Sequence, residues 1–191
     1  MKNEESLVFA TIEELAALLA KRRISPVELT ELFLRRIEGQ NPALNAFLTI
    51  TGVETLHVRM ERHVENARKV AEFLVKHPKV AWVSYASLKD SPYFKLAQKY
   101  LPKGAGAVFT FGVKGGFEAG VKLVEGVGLF SHLANIGDTR SLILHPASTT
   151  HRQLTDAQRI AAGAGDDVVR LSIGLETADD LIRDLDQALG S

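Results

Sequence analysis

The apolar residues of this chain recur with two different periods, and each period predicts a type of secondary structure. Between Gly52 and His77 they lie three and four positions apart, which places them on one face of a helix. This helix is predicted to end at His77-Pro78, because the residue before a proline is sterically driven out of the helical region. Met60 belongs to the same apolar stripe, so we expect it in the core.

Further along, short runs rich in β-branched and aromatic residues predict strands, and capped amphipathic segments between them predict helices. The predicted strands are 80–85, 107–112, 129–133, 141–144 and 168–173, and the predicted helices are 91–101, 117–127, 155–163 and the segment from 177 onward. Strands and helices alternate irregularly, with short connections between strands. This order favours an α+β fold, a mostly antiparallel sheet with helices on one face, over a parallel doubly wound sheet.

The first part of the chain predicts a helical hairpin. Thr11–Glu14 and Ser25–Glu28 each match the capping box, in which a hydroxyl residue precedes a glutamate by three positions. Apolar stripes follow both boxes, and the second helix is predicted to stop at Gly39 and Asn41-Pro42. The hairpin therefore precedes the α+β region as a separate small element.

Composition excludes several classes of function. The 191 residues contain 46% hydrophobic and 24% charged residues, which is typical of a soluble globular protein. Lysine plus arginine equals aspartate plus glutamate at 23 each, so we expect neither nucleic acid nor an anionic membrane as a partner. Without cysteine, disulfides and thiolate sites are impossible. The N-terminus lacks an apolar signal core, and a cytoplasmic location is expected.

Two further groups of residues could suggest binding chemistry: a glycine-rich turn that could hold phosphate, and three histidines that could hold a metal ion. Gly112–Gly116 lacks the spacing of a phosphate-binding loop, and a turn that requires positive φ explains its glycines equally well. Lys114 would need a pocket that lowers its pKa to act as a Schiff-base lysine. The histidines of the following region show no metal-binding spacing, so no metal site is expected from His132, His145 and His151.

Ser148–His151 places three hydroxyl residues before a histidine, a combination that could supply a nucleophile and its base. On an extended segment adjacent residues point to opposite faces, so Thr150 and His151 are not expected to cooperate.

Arg170 is the candidate anion-binding residue. It lies in a predicted strand, beside the polar segment His145–His151. A guanidinium offers a planar fork of donors that matches a carboxylate in bidentate fashion. The alternative from the residues alone is an arginine that forms a salt bridge at a strand end.

From about residue 45 to the C-terminus the sequence resembles a known enzyme domain. The words that carry the resemblance are ETLHVRMERHVENA, KYLPKGAGAVFTFGVKGG, HLANIGDTRSLILHPASTTHRQL and RLSIGLE. They are similar to the small C-terminal domain of O-acetylhomoserine sulfhydrylase, a fold-type I pyridoxal-phosphate enzyme of the cystathionine gamma-synthase and gamma-lyase group. The resemblance implies a transferase of methionine and cysteine metabolism that acts on a small amino-acid substrate.

The same resemblance implies roles for individual residues. The arginine of the RLSIGLE word, Arg170, would bind the substrate's α-carboxylate. Asn135 would bind the same carboxylate, and Ala134, Ile136 and Thr150 would flank the substrate and the cofactor. The cofactor lysine of the family lies in a word resembling Ser-x-Thr-Lys, which this sequence does not contain. We therefore expect the chain alone to bind no pyridoxal phosphate and to be inactive.

The hairpin resembles a different family. Residues 8–48 are similar to the N-terminal start of an amidase-signature enzyme, but the Gly-Ser-Ser and Ser-Gly-Gly words of amidase catalysis are absent. The two resemblances meet at Asn45–Leu48, which predicts a chimera with an amidase-like hairpin in 1–48 and a sulfhydrylase-like domain in 49–191. Two alternatives stay open: a non-catalytic interaction module that forms a homo-oligomer, and an amidase-like hydrolase.

Overall fold

Residues 7–44 and 55–190 are described by the computed structural model, without the side chains of 41–44. The chain divides into two compact units, Met1–Glu54 and Thr55–Ser191. The predicted join at Asn45–Leu48 lies outside the described residues, so the domain boundary at 48 stays a prediction. None of the helices in the described ranges combines the length and the apolar character needed to cross a membrane.

The first unit contains the helices α1 (Ile12–Ala20) and α2 (Pro26–Leu44). The capping box of Thr11 is present: the Glu14 backbone N–H donates to the Thr11 hydroxyl at 3.2 Å, and the Thr11 N–H donates to the Glu14 carboxylate at 2.9 Å. Ser25 and Glu28 form the same reciprocal pair, at 3.1 and 2.8 Å. Both predicted helix starts are therefore confirmed.

The predicted end of the second helix is wrong. Helix α2 continues through Gly39 and Pro42 to Leu44. Pro42 removes one backbone donor, but it lies so close to the end of the helix that little of the hydrogen-bond ladder is disturbed. The Arg36 guanidinium lies 5.0 Å from the centroid of the Phe9 ring, which brings the residues before α1 beside the second half of α2, as expected for an antiparallel pair.

The second unit is an α+β domain, as predicted. Its elements in chain order are α3 (Leu56–Lys76), β1 (Val80–Ser84), α4 (Phe94–Tyr100), β2 (Val108–Val113), α5 (Gly116–Gly126), β3 (Ser131–His132), β4 (Leu142–Leu144), the 3-10 helix Pro146–Ser148, α6 (Asp156–Ala161), β5 (Val168–Ser172) and α7 (Ala178–Gly190). The sheet order is β1-β2-β5-β4-β3. Only the short pair β3 and β4 is parallel among the paired strands of this sheet, so the prediction of a mostly antiparallel sheet is confirmed.

Alternate residues of the central strands point to opposite faces, and this decides which side chains enter the core. On β5, Val169 and Leu171 are buried against the helices α3, α5 and α7. Their partners on the neighbouring strands, Phe111 and Ile143, share the same core. Arg170 therefore lies on the opposite face of the sheet.

Met60 does not belong to this core, which corrects the prediction. Its side chain is 36% exposed, and Leu56 and Val58 on the same part of α3 are exposed as well. The buried positions of α3 begin at His63 and end at Leu74. A helix of 21 residues is about 31 Å long, whereas strands of five or six residues reach only about 20 Å. The helix is therefore longer than the sheet that it covers, and its first turns extend past the sheet.

Candidate functional site

The candidate site lies on the face of the sheet that carries Arg170. This residue occupies the middle of β5, where its neighbours across the ladder are Thr110 on β2 and Leu144 on β4. The Arg170 side chain is half-buried. A strand in the centre of a sheet cannot shift its register without moving every side chain to the other face, so the backbone positions Arg170 firmly.

Beside Arg170 the structure forms a shallow cleft of about 10 Å³ that is open to solvent. Its lining comes from β4, β5 and the irregular segment after β3 and consists of Leu133, Ala134, Asn135, Leu142, Leu144, Arg170 and Ser172. The structure thus brings together three of the predicted site residues, Arg170, Asn135 and Ala134. Their roles stay predictions.

Arg170 has no partner of opposite charge within the described ranges. Neither an ion pair nor a side-chain hydrogen bond of its guanidinium is present there. A half-buried cation without a partner loses hydration and gains nothing in return, unless an anion binds. Among the described residues, therefore, nothing supports the alternative of an arginine salt-bridged at a strand end.

Asn135 uses its side chain locally. The Asn135 Oδ1 atom accepts the backbone N–H of Ile136 at 2.8 Å, which tightens the irregular segment at the mouth of the cleft. Ile136 itself is 71% exposed and is not among the residues that line the cleft.

Thr150 lies outside the cleft, in a run of turns, and not on an extended segment. Its hydroxyl is 2.9 Å from Nδ1 of His151, so the expectation that these two side chains diverge is wrong. The 3-10 helix Pro146–Ser148 and the turns after it rotate neighbouring side chains toward each other, which extended backbone does not do.

The histidines of this region have structural contacts. His145 is fully buried, with Nδ1 at 2.9 Å from the Ser148 hydroxyl and Nε2 at 2.9 Å from the Asp166 carbonyl. Both ring nitrogens are therefore occupied. No cluster of three histidine or acidic side chains suited to a metal ion occurs in the part of the chain that the structure describes.

The residues described do not fit a pyridoxal-phosphate site by themselves. No described lysine lines the cleft of Arg170. Lys114 is exposed and donates to the Pro78 carbonyl at 2.8 Å, and the turn beside it has φ of 109° at Gly115 and 67° at Gly116. Such φ values favour glycine, which confirms that the backbone turn accounts for these glycines.

Sequence reasoning missed one group of residues near the cleft. The Glu176 carboxylate accepts the Ser141 backbone N–H at 2.7 Å and the Ser141 hydroxyl at 2.8 Å. The Ser141 hydroxyl in turn accepts the Gly174 N–H at 2.8 Å. Glu176 stands in the RLSIGLE word, but nothing in the local sequence shows that its partner lies on another strand.

Comparison with known proteins matches almost the whole chain to one family. The model of the Cys/Met metabolism PLP-dependent enzymes covers residues 15–190, which includes most of the hairpin. Homocysteine synthase of Schizosaccharomyces pombe is 49% identical over 156 residues, which are 82% of this chain and 36% of that protein. O-acetyl-L-homoserine sulfhydrylase of Leptospira meyeri is 49% identical over 170 residues, 85% of this chain and 38% of that protein.

A solved structure shows the same fold. It is that of a putative O-acetylhomoserine (thiol)-lyase from Campylobacter jejuni with N'-pyridoxyl-lysine-5'-monophosphate at position 205. It superposes with a TM-score of 0.72 at 40% identity and covers 87% of this chain and 40% of that one. The chain thus spans about two fifths or less of the length of these relatives. By the extent of the family match, the chain belongs to the Cys/Met metabolism PLP-dependent enzyme family.

Proposed function

We propose that this chain is the substrate-side domain of an O-acetylhomoserine sulfhydrylase-like transferase, and that Arg170 binds the α-carboxylate of the amino-acid substrate. The observation that carries the proposal is the guanidinium of Arg170, half-buried at a cleft and without a counter-ion among the described residues. A carboxylate is the small anion whose two oxygens match the guanidinium fork. The similarity to sulfhydrylases supports O-acetylhomoserine as the substrate.

The remaining candidate residues are assigned by whether they line the cleft of Arg170. Ala134 and Asn135 line the cleft with Arg170, so they contact the substrate next to its carboxylate. Ile136 is exposed at the same segment and contacts the substrate or cofactor from the solvent side. Thr150 has the weakest support, because it lies outside the cleft and its hydroxyl is already within hydrogen-bond distance of His151.

The chain alone is inactive in this proposal. Pyridoxal phosphate supplies an electron sink that the amino acids cannot replace, and it requires a lysine and a phosphate-binding site. No described lysine lines the cleft. A charge-assisted bidentate contact contributes about 1.5–3 kcal/mol, which by itself corresponds to millimolar or weaker affinity.

A hybrid enzyme tests the proposal. The segment of the Leptospira meyeri sulfhydrylase that matches this chain is replaced by the chain, and homocysteine formation from O-acetylhomoserine and sulfide is measured. We expect the hybrid to be active and Arg170→Ala to lower its kcat/KM roughly 10- to 100-fold. Arg62→Ala, which removes an exposed arginine from α3, is the matched control.

Two results would contradict the proposal. One is an Arg170→Ala hybrid as active as its parent. The other is turnover by the unmodified chain with pyridoxal phosphate, which would mean that one of its own lysines serves the cofactor.

A second candidate function is self-association. Leu56 and Met60 lie four positions apart, so they are exposed on one face of the first turns of α3, and exposed apolar groups of this kind favour a partner surface. Light scattering would show a dimer that Met60→Lys disrupts and Val75→Lys, at an exposed valine near the other end of α3, does not. The amidase-like origin of the hairpin and the hydrolase alternative stay predictions that no contact in the described residues favours.

A further inference from the structure

The segment 133–140 carries three of the cleft residues but contains no helix or strand. Irregular segments adopt many conformations unless specific contacts fix them, and each conformation would place Asn135 differently relative to Arg170. The contacts at the two ends of this segment therefore decide the shape of the cleft.

Its first end is fixed by the sheet and by a carboxylate. Ser131 pairs with Leu142 in the parallel β3–β4 ladder. Immediately before it, the Asp184 carboxylate accepts the backbone N–H groups of Gly128 and Leu129, both at 2.8 Å. These contacts come from β4 and α7, and not from the strand that carries Arg170.

Its second end is fixed by Glu176, which follows β5. The Glu176 carboxylate binds both the N–H and the hydroxyl of Ser141, a residue with no exposed surface. The Leu175 N–H donates to the Thr139 carbonyl at 2.8 Å beside it. The residues just before β4 are thus hydrogen-bonded to the residues just after β5, at the end of the segment 133–140.

The same turn is bound to helix α3. The Asn66 side-chain amide donates to the carbonyl of Gly174 at 3.0 Å and to the carbonyl of Glu176 at 2.8 Å. A Cβ added to Gly174 would lie 2.5 Å from the backbone of Arg140 and of Ser141. The close approach of the two segments therefore requires glycine at position 174.

We propose that Glu176 is a positioning residue: its carboxylate sets the distance between the segment 133–140 and Arg170 and thereby the affinity of the cleft for a substrate carboxylate. This inference rests on the proposed function of Arg170. Glu176 lies six positions after Arg170, so β5 and the short stretch that follows it set both sides of the cleft. Binding sites lose affinity when their groups are misplaced by about 1 Å, even if every group is still present.

The variant Glu176→Gln tests this chemistry with little change in shape. A carboxylate accepts from both donors of Ser141, whereas an amide offers one acceptor and one donor. One donor of Ser141 must then lose its partner or turn away. Ser141→Ala removes the hydroxyl, with its bonds to the Glu176 carboxylate and the Gly174 N–H, but keeps the bond from the Ser141 backbone N–H to Glu176.

The measurement is an NMR titration of the full chain with O-acetyl-L-homoserine, in which the Arg170 Nε–H signal and the amides of 133–136 are followed. We expect the affinity to fall at least about threefold in Glu176→Gln and to fall in Ser141→Ala as well. We also expect the amides of 133–136 to shift in Glu176→Gln before any ligand is added. Tyr85→Phe is the control, because it removes a buried hydrogen bond to Gly106 outside the cleft.

The outcomes separate the two proposals. If the unmodified chain binds and Glu176→Gln binds equally well, the positioning role is overturned and the function of Arg170 stands. If the unmodified chain shows no binding even at about 100 mM ligand, above the Kd that a contact of about 1.5–3 kcal/mol implies, the proposed function is overturned. Unmoved amides of 133–136 in the ligand-free variant overturn the positioning role too. Should Glu176→Gln not fold, an unchanged affinity in Ser141→Ala overturns it.

Discussion

Two arginines of the second unit, Arg159 and Arg170, have opposite surroundings. Arg159 on α6 donates to the carboxylates of Asp156 and Asp166, both at 2.9 Å, and to the Leu154 carbonyl at 3.1 Å. Its side chain is 13% exposed. Arg170 on β5 is also half-buried, yet within the described ranges its guanidinium has no such partner. The identity of the residue is the same, so only the neighbours distinguish a structural arginine from a candidate binding residue.

The largest effect expected from this comparison is on binding at Arg170. Replacing it by alanine removes the bidentate contact, which contributes about 1.5–3 kcal/mol and accounts for the millimolar affinity of the chain alone, so binding of O-acetylhomoserine should fall below detection. Because Arg170 has no partner to leave unsatisfied, the free energy of unfolding should change by no more than about 0.5 kcal/mol. NMR titration and urea unfolding measure the two quantities.

If Arg170→Ala instead lowered the stability strongly and left the affinity unchanged, Arg170 would be a structural arginine and not a binding residue. Arg170→Lys refines it, since an ammonium keeps the charge but loses the planar fork. We expect it to bind more weakly than the unmodified chain and more tightly than Arg170→Ala.

Arg159 should show the converse. Arg159→Ala is expected to lower the free energy of unfolding by about 1 kcal/mol, a modest value because the two aspartates it contacts are largely exposed and their ion pairs are screened. Affinity for the carboxylate ligand should stay within about twofold of the unmodified chain, the spread expected for a site without shared partners. Urea unfolding and the same titration decide. A weakened affinity with unchanged stability would show that Arg159 belongs to the site.

The sequence predicted those features of this region that depend on residues close together in the chain. The capping box of Thr155 and Gln158 is one, with the Thr155 hydroxyl and the Gln158 side chain bonded reciprocally to each other's backbone N–H. The strand around Arg170 is another, because its alternation of apolar residues is a local pattern. The hairpin starts at Thr11 and Ser25 were equally local.

What could not be predicted depends on contacts between distant segments. Whether an aspartate reaches Arg170 or Arg159 is decided by which strands become neighbours, and the sequence shows only that aspartates are nearby. The pairing of Glu176 with Ser141 spans 35 positions in the chain. The contact between Thr150 and His151 was missed for another reason, since it depends on turns that the segment was not expected to form.

Tyr85 extends the comparison to a neutral polar group that is buried and paired. Its hydroxyl donates to the Gly106 carbonyl at 2.9 Å. Burial is the main cause that raises the pKa of Tyr85 above its usual value, and nearby Ser87 and Arg68 oppose it more weakly. In the unfolded chain the phenol ionises near its usual value of about 10, so between that pH and the higher pKa of the folded state the stability should decrease as pH rises.

Urea unfolding between about pH 9 and 11 measures this decrease in stability. Tyr85→Phe should make the dependence on pH shallower and should cost about 1 kcal/mol at neutral pH, because one buried hydrogen bond is lost. Tyr93→Phe is the control, since Tyr93 is exposed and should leave the slope unchanged. Equal slopes in both variants would mean that Tyr85 is as accessible to water as Tyr93.

The smallest effect is expected at Met60, an apolar side chain that is exposed on α3. Because Met60 is exposed on the first turns of α3, Met60→Gln should change the free energy of unfolding by less than about 0.5 kcal/mol. Leu74, fully buried on the same helix, provides the contrast: Leu74→Ala should cost about 2–5 kcal/mol. Urea unfolding of both variants places the end of the core along α3. A large cost at Met60 would mean that a second copy of the chain covers this surface, and in that case the cost should disappear on dilution, because the stability of a dimer depends on concentration whereas that of a core does not.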